Sequence, residues 1–259
     1  MVGADILGLW GQTEALLRTG APFPLLWFEL FAEGGPVERL QWSFLTLALA
    51  GCAGFGLRSH AEGLNAGRSF SILFGFGLSL MLMEDALNIR HHLANAVVDK
   101  TERFEERMLR TIVELPLYGA LGLLMVGAFV KFSRDLRDTV GFWGLLVTGY
   151  LFYGVAAVGS ATRHIGDWYQ HAGSWALERV PHHSSEAMGI AQDLSLLFYD
   201  RHLGFYFMDQ PIEESLELLG AGCLAAFCFG IYRWMSSTQA ARVFALGSSY
   251  SDLPDEPTA

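Results

Sequence analysis

The chain has 259 residues, 52% of them hydrophobic and 17% charged, with 29 Gly and 19 Phe. Soluble domains carry about 25% charged residues, so this composition excludes an ordinary soluble domain. It fits a polytopic α-helical membrane protein, where Gly and aromatic residues are enriched. The formal net charge of −10 excludes nucleic acid as a partner, since phosphate recognition needs basic patches.

In chain order, residues 1–36 read as an interfacial segment. A short amphipathic stretch leads into "APFPLLWFELFAEGG", broken by Pro22, Pro24 and Gly34–Gly35–Pro36 and anchored by Trp10 and Trp27. It lacks the basic n-region of a cleavable signal peptide, so none is expected. Five apolar runs follow, over residues 40–57, 69–87, 112–132, 140–161 and 212–234. Each is close to the ~20 residues that cross a bilayer. The second is expected to continue as helix to about Ala96, and the fourth toward His171. Residues 172–210 form a long His-, Tyr- and Phe-rich connection with room for one interfacial helix over 185–207. The tail 247–259 is acidic, Ser/Pro-rich and expected to be disordered. The expected fold class is therefore all-α: a multi-pass bundle over residues 37–246, flanked by the interfacial segment and the tail. Cys52, Cys223 and Cys228 all fall in apolar runs and read as small buried hydrophobes.

Basic residues in short loops set the orientation. Arg58 and Arg68 flank the first loop, "KFSRDLRD" fills the third, and Arg233 and Arg242 follow the last span. These places share one side, which is assigned as cytoplasmic. The N-terminus is then outside and the C-terminus inside.

With five spans, the ends of the second and fourth and the starts of the third and fifth share the opposite face. Those four places hold the polar groups: Glu84, Asp85, His91 and His92; Glu114; His164, Asp167 and His171; and Glu213, Glu214 and Glu217. At 1.5 Å per residue, Glu84, Glu114 and Glu217 come out roughly 22–26 Å from the cytoplasmic side. That is inside a hydrocarbon core of ~30 Å. His91, His164 and Glu213 come out higher, at roughly 30–36 Å. Helical spacing puts Glu84, Asn88 and His91 on one stripe and His164, Asp167 and His171 on another. Asp85 and His92 point away from the main stripe. His60, His182, His183 and His202 read as surface or interfacial.

Carboxylates and imidazoles on four helices are the ligand set of dinuclear Fe or Mn carboxylate sites. The expected metal ligands are Glu84, His91, Glu114, His164, Asp167, His171 and Glu217, with Glu213 or Glu214 as a base beside them. No Glu-x-x-His occurs, which leaves the nuclearity open. Such a site faces the outer leaflet, within reach of membrane lipid or another apolar substrate. Fe or Mn would make it an oxidoreductase, and Zn a hydrolase. Three alternatives stand beside it. His91 and His164 could be axial ligands of haem b in a cytochrome or quinone-reactive electron carrier. Buried acids and imidazoles could relay protons or cations, although the cytoplasmic halves of the spans lack ionisable groups. Arg90, Arg110 and Arg163 could instead neutralise the acids in a non-catalytic subunit that meets other membrane subunits.

Overall fold

The computed structural model describes residues 30–31, 34–87, 89, 103–133, 141–163, 165–179 and 202–250, with only the backbone described for 103–114 and 238–250. The N-terminal anchors, Asn88, Arg90, His91, His92, His164, His182, His183, the Arg110 and Glu114 side chains and the tail beyond 250 lie outside the described residues.

Every described element is helical. Helix α1 is Pro36–Ala61, α2 Asn65–Leu87, α3 Arg103–Phe132, α4 Trp143–Thr162, α5 Trp168–Arg179 and α6 Leu203–Phe207. A π-helical turn, Met208–Ile212, joins α6 to α7, Glu213–Tyr250. Five stretches are long and apolar enough to cross a membrane: α1, α2, Leu115–Phe132 of α3, α4, and Leu203–Ser237. The chain is a multi-pass integral membrane helical bundle.

The ends of the helices have local causes. Pro36 opens α1, where its missing N–H costs nothing, and the Glu38 carboxylate accepts from the Gly34 N–H just before it. The α1–α2 turn needs Gly63, whose φ of 71° is left-handed. The expected run of α4 toward His171 does not occur. The chain leaves the helix after Thr162 and turns at Gly166, with φ of 66°. It restarts as α5, and the Trp168 indole donates to the Thr162 carbonyl across the break. The fifth span begins at Leu203, earlier than the apolar run from residue 212 suggested. Pro211 lies inside the π turn, which absorbs the hydrogen bond that proline cannot make. Helix α7 runs past residue 246 to Tyr250, and no proline intervenes before Pro254.

The spans close into a ring: α1 packs on α2, α2 on α3, α3 on α4, α4 on α7, and α7 back on α1. The α3–α4 seam is the sparsest of the five. Small residues set the closest approaches. A Cβ on Gly51 would stand 3.0 Å from the Cys228 backbone, and one on Gly149 would stand 3.2 Å from the Gly220 carbonyl. One half of the ring is filled by buried Phe55, Phe70, Phe74 and Phe227. Phe70 stacks on Phe74 at 5.1 Å, and Phe74 meets Phe227 edge-on at 5.8 Å. This aromatic plug leaves the other half, where α1, α3 and α7 begin and α2 and α4 end, as the part with free internal space.

Candidate functional site: an acidic intramembrane cavity

That space is a cavity of about 230 Å³ lined by all five spanning helices. Its body is apolar, made by residues such as Leu45, Met81 and Met125. Its floor is Tyr150, whose hydroxyl donates to the Met125 carbonyl at 3.0 Å. Its other end is polar: Gln41 from α1, Glu84 and Asp85 from α2, and Glu217 from α7. Tyr118 and Tyr153 line it between the two ends.

Gln41 organises the polar end. Its side chain is buried, at 1% exposure. Its Nε2 donates to Asp85 Oδ2 at 2.8 Å and to Glu217 Oε2 at 2.9 Å. One amide thus ties together carboxylates from two other helices, and hydrogen bonds to ionised acceptors are the strong ones. Gln41 Oε1 makes no hydrogen bond within the protein. The amide also lies close to Tyr153, whose buried hydroxyl makes no directed hydrogen bond. One turn from Glu217, Glu214 lies within electrostatic reach of Glu38, Asp85, Glu213 and Glu217. Its Oε2 is buried without a hydrogen-bond partner.

A second polar cluster caps the same end. Arg163, at the end of α4, pairs with Asp209 of the π turn at 2.7 Å, and both are largely buried. Buried Glu213 accepts from the Tyr169 hydroxyl of α5 at 2.7 Å. Burial, and then the nearby Glu213 and Asp209 charges, hold the Tyr169 hydroxyl well above the usual tyrosine pKa. Helix α5 reaches this position because Gly173 and Gly204 let its backbone touch that of α6. A Cβ on Gly173 would stand only 1.8 Å from the Gly204 carbonyl oxygen.

The residues singled out in the sequence divide among these places. Glu84 and Glu217 meet in the cavity. Asp85 lines it too, although helical spacing had turned it away from the main stripe. Glu213 is engaged by Tyr169 and, like Glu214, is not in the cavity wall. Asp167 and His171 are exposed and lie outside that wall. Glu114 is described by its backbone only, one turn before Tyr118. Gln41, Glu38, Tyr153, Tyr169 and Asp209 were not foreseen. Gln41 carries a visible signal, a long amide inside an apolar run, that a search for acids and imidazoles passes over.

Among the described residues, no group of three or more His, Cys, Asp or Glu side chains is disposed to hold a metal ion. The donors at the polar end of the cavity are oxygens, which suit hard cations such as Mg²⁺, Ca²⁺ or Mn²⁺. The imidazoles that Fe, Zn or haem b would require, His91 and His164, lie outside the described residues. Comparison with protein-family models, curated proteins and solved structures finds no match. Function must therefore be argued from the site.

Proposed function

We propose that this chain draws an apolar molecule from the bilayer into the five-helix cavity and holds its polar end against Gln41, Glu84, Asp85 and Glu217. One observation carries this reading: a single cavity has an apolar body and, at one end only, carboxylates organised by a buried amide. Ligand sites are mostly apolar clefts with a few placed polar groups. Intramembrane carboxylates mark function by default, because lipid does not solvate them. The distribution of basic residues turns this end outward, toward the outer leaflet. The test is mass spectrometry of organic extracts from purified protein. Wild type should carry an apolar compound that Ala157→Phe, which fills the cavity wall, does not retain. Identical extracts from both proteins would overturn the reading.

The crowding of Glu38, Asp85, Glu213 and Glu217 around Glu214 favours a second reading, a cation-dependent enzyme. Like charges at such range are relieved by a retained proton or by a bound cation. A divalent ion held by Glu84 and Glu217, with Glu114, His91 and His164 completing its shell, would supply Lewis-acid or redox chemistry on the bound molecule. Glu214 is then the candidate base, since Glu213 is engaged by Tyr169. Elemental analysis and an absorption spectrum on one sample decide this. Stoichiometric metal that Glu217→Ala loses supports it, metal-free active protein refutes it, and a Soret band points to the haem alternative.

A further inference from the structure

We propose that the cavity's ligand is a single-chain amphiphile with a hydrogen-bond-donating, non-anionic head, a hydroxyl or an amine, admitted sideways between α3 and α4. This rests on the cavity reading above and names its substrate class.

The way in is read from the cavity wall. Gly122 of α3 and Gly154 of α4 both line the cavity and both are exposed. A Cβ at either would meet no atom within 4 Å. Val126, also in the wall, is 45% exposed. These residues lie along the sparsest seam of the ring. Counted from residue 112, where the apolar run of α3 begins, and from Thr162, where α4 ends, Gly122 and Gly154 sit about 15 and about 12 Å inward at 1.5 Å per residue. That depth is among the lipid tails, below the headgroups. The opening therefore faces acyl chains, and the polar end of the cavity lies toward the membrane surface, the way an amphiphile already lies in its leaflet.

The volume selects one chain. The 230 Å³ available falls below the roughly 300–1,000 Å³ of pockets that take drug-sized ligands. A space of this volume has room for one alkyl chain rather than two.

The polar end selects the head. Gln41 Oε1, on a side chain 1% exposed, is a buried acceptor without a donor. The Tyr153 hydroxyl lies close to the same amide but is not seated on Oε1 by a directed hydrogen bond. A hydroxyl or amine supplies the missing donor, and burying an acceptor unsatisfied is costly. No Lys, Arg or His lines the cavity among the described residues. A carboxylate or phosphate head would therefore meet acceptors and acids, with no cation in the wall to receive it.

The test uses the full chain in phosphatidylcholine nanodiscs, with tritiated dodecanol, dodecylamine and dodecanoate read by scintillation proximity. Dodecanol and dodecylamine should bind saturably, and dodecanoate at least about tenfold more weakly, a difference resolvable as a shift in Kd. Gln41→Met should weaken the first two and leave the third unchanged; Tyr153→Phe is the second variant if Gln41→Met does not fold. Gly154→Phe or Gly122→Phe, judged folded by an unchanged unfolding midpoint, should block all three. Dodecanoate binding as tightly as the others would overturn the head assignment and leave the cavity reading standing. No saturable binding of any chain would sink both. Unchanged binding to both folded phenylalanine variants would overturn the sideways route.

Discussion

Replacing Gln41 with leucine is the most informative single change in the bundle. The side chain keeps nearly its volume, so no cavity opens and the change is confined to the amide. What disappears is the donor to Asp85 Oδ2 at 2.8 Å and to Glu217 Oε2 at 2.9 Å. Hydrogen bonds to ionised groups contribute about 1.5–3 kcal/mol each, so two of them set a loss of about 3–6 kcal/mol if both acceptors stay buried. That is a large share of a total stability of about 5–15 kcal/mol. Equilibrium unfolding in mixed micelles measures the loss directly, and the thermal midpoint gives a second reading of it. Two bonds should cost more than one, so Asp85→Leu, which leaves the Glu217 bond in place, should fall short of Gln41→Leu unless it strands other partners. A loss below about 1 kcal/mol for Gln41→Leu would refute the reasoning. Asp85 and Glu217 would then be held by other contacts.

Gly173→Ala should destabilise by about 1–3 kcal/mol or more, because its Cβ would stand 1.8 Å from the Gly204 carbonyl oxygen with backbone on both sides. Gly154→Ala, with open space around it, should leave the unfolding midpoint level or raise it slightly, and the reverse ranking would contradict the packing. Arg163→Ala should cost about 3–5 kcal/mol, because it strands the largely buried Asp209 charge of a pair 2.7 Å apart, and Asp209→Ala should cost less. The double variant should recover part of that, whereas additivity within about 0.5 kcal/mol would show that the pair is not coupled. Tyr169 binds its proton more tightly folded than unfolded, so its contribution is complete below the ordinary value of 10.0 and is lost as pH rises above it. Tyr169→Phe should therefore show a shallower alkaline loss of stability than wild type; parallel pH profiles would remove the Glu213 contact from the account.

The five spans were legible because an apolar run of bilayer length has few other uses. That acids gather at one end was legible as well, since chain alternation alone fixes which helix ends share a face. Glu84 and Glu217 follow from depth and angle taken together. Asp85 does not, because angular reading assumes a narrow target. The cavity is wide enough that two consecutive residues of α2 both reach it. The break after Thr162 depends on one glycine adopting a left-handed turn, and an apolar pattern does not register that. Tyr169 and Asp209 meet their partners Glu213 and Arg163 only through the docking of α5 and the π turn, contacts that no local spacing encodes. Gln41 was legible in position but not in role. Its importance comes from two acceptors far along the chain, at sequence separations of 44 and 176.

Those two separations bear on how the protein is made. Helices α1 and α2 form a hairpin that can enter the membrane as a unit, and the Gln41–Asp85 bond lies wholly inside it. A carboxylate that lipid would penalise is thus escorted by a donor from its own hairpin, with no need of the last helix. The Glu217 bond has to wait for the last helix, which brings its own acids with it. The second N–H of the same amide is then left idle until the ring shuts, so Gln41 also serves as a marker of completed assembly. A chain truncated before α7 would carry the hairpin bond but not the second one, and its open ring would present an unsheltered polar edge to quality control in the bilayer.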